Sequence, residues 1–143
     1  MTVQQISVFI ENRTGRLAQA TLALGKAEVN IRALSLAETS DFGILRLIVD
    51  RTDLAKEVLT GQGFTVDKTE VVAVQVPDQP MGLGHILQIL DAALITVEYL
   101  YAFIERCGDN AIIIFRFNDS TQAIAALTAG GVKVLSAESV YSM

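Results

Sequence analysis

Residues 11–17 read ENRTGRL. They follow an apolar run, ISVFI at 6–10, and they lead into RLAQATLALGKA, where Leu17, Ala20, Leu24 and Ala27 recur at helical spacing. A polar corner holding Gly15 thus stands between a strand and a helix. The same corner returns at 77–83 as PDQPMGL, after VVAVQV and before LGHILQILDAAL. An offset of 66 residues places Ile6, Val8 and Ile10 on Val72, Val74 and Val76, alternate positions and hence one strand face in each half. It also places Asn12 on Asp78 and Leu17 on Leu83. A fixed offset across several elements is an internal repeat, and it constrains the fold more than any single element does.

Working outward, VNIRALSLA at 29–37 falls on ITVEYLYAF at 95–103, and after a two-residue insertion GILRLIV at 43–49 falls on AIIIFRF at 111–117. Each half continues with a short helix. Thr52 and Asp53, or Asp119 and Ser120, are its expected caps; Leu54, Val58 and Leu59, or Ile124 and Leu127, are its buried side. Gly61 and Gly63, then Gly130 and Gly131, end these helices, and a last strand follows, FTVDKT or VKVLSA. In the helix after the second corner, Leu83, Ile86, Leu87, Leu90 and Leu94 form the expected apolar stripe.

The order is βαββαβ twice, an α+β fold of two tandem ferredoxin-like units, 1–69 and 70–143. No Pro, Gly or Ser linker interrupts DKTEVVAV at 67–74, so the units are expected to pack tightly. In such a unit the second strand is an edge, and the apolar edges IRALSLA and TVEYLYAF need cover. The expectation is that they pair side by side, giving one antiparallel eight-stranded sheet with helices on one face.

Apolar residues make up 51% of the 143, with mean hydropathy +0.43. No window offers the ~18 uncharged apolar residues of a membrane span, so no membrane partner is expected and the excess reads as interface. A homodimer or higher even oligomer follows. MTVQQISVFIENR has no basic segment ahead of an apolar one, which points to a cytoplasmic protein. One cysteine, Cys107, and one histidine, His85, make neither a disulfide nor a four-ligand site, so metal and cofactor are both expected to be none. His85 lies beside the apolar stripe and reads as a rim residue; Cys107 lies in a turn, ERCGDN. Net charge is −5 without a basic cluster, which argues against nucleic acid. Tyr99, Tyr101 and Phe103 share one strand face, where aromatics could stack bases, but the acidic balance favours a packed interface.

The strand, ENRTGRL, the helix and VNI opening the second strand resemble an ACT domain, the small amino-acid-binding regulatory module attached to many enzymes of amino-acid metabolism. PDQPMGL and ITV give the second half the same resemblance. The chain therefore looks like a stand-alone tandem ACT protein. The resemblance implies a non-catalytic regulator with no catalytic residues, a free amino acid as ligand, and an enzyme of amino-acid metabolism as partner. It places the ligand between two modules, against the corner of one and the second strand of its neighbour. Asn12, Arg13, Thr14, Gly15, Arg16 and Leu17 are then the candidate loop, and Asn30 and Ile31 the candidate strand contacts. Asp78, Met81, Leu83, Thr96 and Val97 are a second site or a partner wall.

Elementary chemistry agrees. Gly15 turns the backbone without a Cβ penalty, the helix beginning beside it presents unpaired N–H groups to a carboxylate, and Asn12 offers a donor and acceptors to a zwitterion. Met81 in place of Gly15, and anionic Asp78 in place of Asn12, make the second corner the poorer expected site, with no competing anion at the first. The plain alternative for Asn12 and Asp78 is a turn or cap residue. Two other functions stand beside the sensor: an interaction subunit without ligand, and a small ferredoxin-like enzyme of acylphosphatase type using Arg13 and Asn12.

Overall fold

Alternating apolar residues make the strands of this protein and 3.6-residue spacing makes its helices; the structure, a computed structural model, describes residues 1–38 and 41–143. In chain order the described elements are β1 (Val3–Glu11), α1 (Arg16–Lys26), β2 (Ile31–Glu38), β3 (Phe42–Val49), α2 (Thr52–Gly61) and β4 (Thr65–Pro77). Then come α3 (Gly82–Ala92), β5 (Val97–Ala102), β6 (Asn110–Phe117), α4 (Ser120–Ala129) and α5 (Ala137–Tyr141). The chain divides into two units, Gln4–Thr69 and Glu70–Met143 with Met1–Val3.

In the first unit the strand order is β2-β3-β1-β4. Ile6 pairs with Leu47 and Val8 with Leu45 across the antiparallel β1–β3 ladder. Directly opposed residues share a face, so these four point the same way. Ala20 and Leu24 of α1 and Ala55 and Leu59 of α2 close over them in one buried cluster. The second unit repeats this with the order β4-β6-β5. Val72, Val74, Phe115 and Phe117 lie under Ile86, Leu90, Ala123 and Leu127. Burying one such side chain contributes about 1.5–3 kcal/mol, so these clusters fix which face each helix covers.

The expected eight-stranded sheet is corrected to six described strands. The run DKTEVVAV contains no Gly or Pro to break it, and the last strand of the first half and the first strand of the second are one strand, β4 (Thr65–Pro77). VKVLSA forms a single bridge, Val74 to Val134, with the Gln75 N–H donating to the Lys133 carbonyl at 3.0 Å and the Leu135 N–H to the Ala73 carbonyl at 2.9 Å; beyond it Ser136 accepts from the Ser139 N–H at 3.2 Å and starts α5. The expected pairing of the two second strands is not among the described ladders: β2 has β3 as its sheet neighbour and β5 has β6.

Two local expectations change as well. Asp119 caps α4, accepting from the Gln122 N–H at 3.0 Å, but α2 has Arg51 at its N-cap without a side-chain bond. Thr52 and Asp53 lie inside that helix, where Asp53 pairs with Lys68. Leu94 leaves the α3 stripe and is 89% exposed. The reason is how the helix closes: the Ile95 N–H donates to the Leu90 carbonyl at 3.0 Å and the Leu94 N–H to Asp91, which puts Leu94 in the left-handed region at φ 57. Glu28 closes α1 identically at φ 60.

A left-handed L residue costs ~1–2 kcal/mol, whereas glycine there loses about 0.4–1 kcal/mol through a freer unfolded chain. Leu94→Gly gives up almost no packing. It is expected to raise unfolding free energy by about 0.5–1 kcal/mol, read as a higher urea midpoint at constant slope.

Candidate functional site

Each corner begins where a strand ends. At the first, the Arg13 N–H donates to the Glu11 carbonyl at 2.8 Å, and Gly15 at φ 91 delivers the chain into α1. Among the described residues no side chain caps this helix and no acidic residue lies in its first turn; the Arg16 N–H donates to the Arg13 carbonyl at 3.4 Å, and the helix start carries a partial positive charge. The Asn12 N–H is fixed on the Asp41 carbonyl at 3.0 Å. Asn12, Arg13 and Leu17 meet Leu36 and Glu38 of β2 and Gly43 of β3 around a hollow of about 130 Å³. Thr14 and Gly15 are exposed beside it.

Charge at this corner differs from the expectation of no competing anion. Glu11 and Glu38 both line the hollow, and Glu11 holds Arg13 at 3.3 Å and Arg16 at 3.9 Å. Arg16 is further committed: it donates to Gln19 Oε1 at 2.8 Å, and its guanidinium lies 4.2 Å from the centre of the Phe64 ring. Its side chain is 14% exposed, so it is a packed structural group. Asn30 and Ile31 lie at the opposite end of β2 from Leu36 and Glu38, away from this hollow. The Asn30 N–H bonds Asp50 Oδ1 at 2.9 Å and Ile31 packs on the core.

The second corner repeats this backbone with other side chains. Met81 takes the place of Gly15 and adopts φ 72 all the same. The residue after it is Gly82, where an added Cβ would lie 2.1 Å from the Pro77 carbonyl oxygen, so this position tolerates no side chain. Asp78 is paired with Arg106 and is not the unbalanced anion that the sequence suggested. Leu83 is packed on the core, as is Val97, and the Thr96 N–H bonds Asn118 Oδ1 at 3.1 Å. Beside Met81 opens a larger cavity, about 490 Å³, bounded by Pro77, α3 and residues 130–133, with His85, Asn110 and Lys133 on its walls. His85 is a rim residue, as expected, but of this cavity.

Sequence reading missed that cavity. The repeat carried a signal for it: at the offset of 66 Arg16 falls on Gly82, and at 68 Phe64 falls on Val132. Two large side chains that touch in the first unit are both small in the second.

The chain matches the family model of the ACT domain pair over residues 1–141. Among solved structures, protein BT0572 from Bacteroides thetaiotaomicron is 36% identical, with TM-score 0.94 over 100% of this chain and 98% of that one. The ligand-free regulatory subunit of aspartate kinase from Thermus thermophilus is 17% identical, with TM-score 0.65 over 90% of each chain. The corresponding subunit from Thermus flavus is 13% identical, with TM-score 0.61 over 90% of this chain and 92% of that one. At those two identities the likeness is one of fold. No curated protein matches the chain.

Because the atom that an alanine Cβ would meet is backbone, Gly82→Ala forces the corner itself to move. Overpacking of this kind costs about 1–3 kcal/mol, and thermal unfolding should fall by several degrees. Gly84→Ala, where nothing lies within 4 Å of the added carbon, is the control and should not destabilise the protein.

Proposed function

We propose a function from one premise: the chain belongs to the ACT-domain family, as a pair of such domains. It is a non-catalytic regulatory protein of the cytoplasm. It binds a free amino acid where the corner of its first unit meets the second strand of a neighbouring module, and it transmits occupancy to an enzyme of amino-acid metabolism. The observation that carries this reading is the geometry of the first corner. Its hollow of about 130 Å³ is well short of the ~300–1,000 Å³ of enclosed ligand sites, yet it joins an uncapped helix start, Asn12 and Glu38. The helix start suits a carboxylate, and Asn12 with Glu38 suits an ammonium.

The missing wall comes from a second copy. Leu34 and Leu36 are 44% and 47% exposed on the open edge strand β2, an apolar edge of the kind that pairs or is covered. The exposed Asn30 of the partner's second strand completes the site. A ligand that touches both walls favours the assembled state by its differential affinity, which makes assembly the regulated quantity. The Thermus proteins of this fold, regulatory subunits of aspartate kinase, support a regulatory role. Arg13, held by Glu11, is poorly placed to cradle an acyl phosphate, which weighs against the enzyme reading.

Calorimetric titration with the twenty amino acids tests this. Losing a hydrogen bond to a charged ligand costs ~1.5–3 kcal/mol, so Asn12→Ala and Asn30→Ala should each weaken binding by about 10- to 100-fold. Their urea midpoints without ligand should stay unchanged. Asp78→Ala should change affinity little, and light scattering should show a dimer or higher even oligomer. A monomer that binds with full affinity, or an Asp78→Ala loss equal to that of Asn12→Ala, would refute the assignment.

A further inference from the structure

We propose that the cavity of the second unit is a separate binding site for a small organic monocarboxylate without an ammonium group, such as a 2-oxo acid. Its volume, about 490 Å³, lies in the range of small-molecule sites. The equivalent space in the first unit is filled by the Arg16 guanidinium on the Phe64 ring. In the second unit Gly82 and Val132 replace both groups, and no side chain fits at Gly82 because of the Pro77 carbonyl. Backbone therefore keeps the cavity open on that side, whatever rotamers the neighbours adopt.

The walls select charge. Gln79, His85, Asn110 and Lys133 line the cavity, and among the described residues none of these side chains forms a hydrogen bond or ion pair within the chain. Lys133 is held at the rim by its carbonyl, which accepts from the Gln75 N–H at 3.0 Å. Among the described residues no Asp or Glu lines the cavity. A carboxylate finds a cation and amide donors there, together with an apolar wall of Ile86 and Val132. An ammonium finds no anion there, only the neutral amide oxygens of Gln79 and Asn110, and Lys133 repels it. An oxo acid is thus favoured over the amino acid of the same shape, the reverse of the selectivity proposed for the first corner, and neither assignment depends on the other.

The test uses the full chain and two shape-matched probes, 2-oxoisovalerate and L-valine, followed by NMR titration of the amides at 130–133. Saturable binding of 2-oxoisovalerate is expected with a Kd of about 1 mM or tighter, and valine at least ~10-fold weaker. Lys133→Met should lower oxo-acid affinity by about 10-fold or more, as loss of a charged hydrogen-bond partner does. Val132→Phe, which restores the ring of the first unit, should abolish binding, while Asn12→Ala should leave it unchanged. Lys133 is on the exposed rim, so its variant decides the matter even if Val132→Phe does not fold. The proposal is overturned if the oxo acid does not saturate these signals, if valine binds there equally, or if Lys133→Met binds as the parent does. It is also overturned if Val132→Phe changes the oligomeric state of a protein that binds no oxo acid, since the cavity would then seat a side chain of a second copy.

Discussion

Both units depend on one backbone constraint, three points at which the chain must enter the left-handed region to pass between strand and helix. They are Gly15, Glu28 and Gly63 in the first unit, at φ 91, 60 and 89, and Met81, Leu94 and Gly131 in the second, at φ 72, 57 and 78. Each sits where a helix begins or ends, so moving one would shift the register of the apolar face behind it. Half of these residues carry a Cβ. Packing of the two helix-covered clusters outweighs the ~1–2 kcal/mol each of them costs, which is why the repeat survives substitution at its own turns.

On that shared backbone, side-chain pairing makes the two corners unlike. In the first unit Glu11 holds both Arg13 and Arg16, and Phe64 holds Arg16, so the arginines stabilise the corner instead of facing a ligand. Asn12, whose N–H is fixed on the Asp41 carbonyl, and the start of α1 carry no formal charge. In the second unit Arg106 takes Asp78, and Lys133 is left as the charge facing an open cavity. Surface ion pairs of this kind contribute little to stability, roughly 0–1 kcal/mol, but they decide which charges stay available.

β2 ends the strand order with an apolar edge. On its helix side Leu34 and Leu36 lie opposite Leu47 and Leu45, in line with the core, yet stand largely in solvent. Phe9 and Phe42 are exposed as well. Phe9 pairs with Ile44, so these rings lie on the sheet face away from the helices, and apolar side chains are exposed on both faces of the first unit's sheet.

The sequence by itself determined the repeat, the faces of the strands, the main helical stripes and the position of both corners. Apart from the repeat these are local: periods of 2 and 3.6 and a polar turn can be read within about ten residues. The same periodicity carried Leu94 one turn too far, because the helix ends through hydrogen bonds that leave no mark in hydropathy. It also made VKVLSA a full strand, where pairing with β4 stops after one bridge and a serine cap starts a helix. Only the tertiary structure decided that the halves share β4, that Arg106 neutralises Asp78, and that the space under Arg16 is filled in one unit and empty in the other. Those outcomes join residues far apart in the chain, and packing of strands and helices, not local pattern, sets which of them meet.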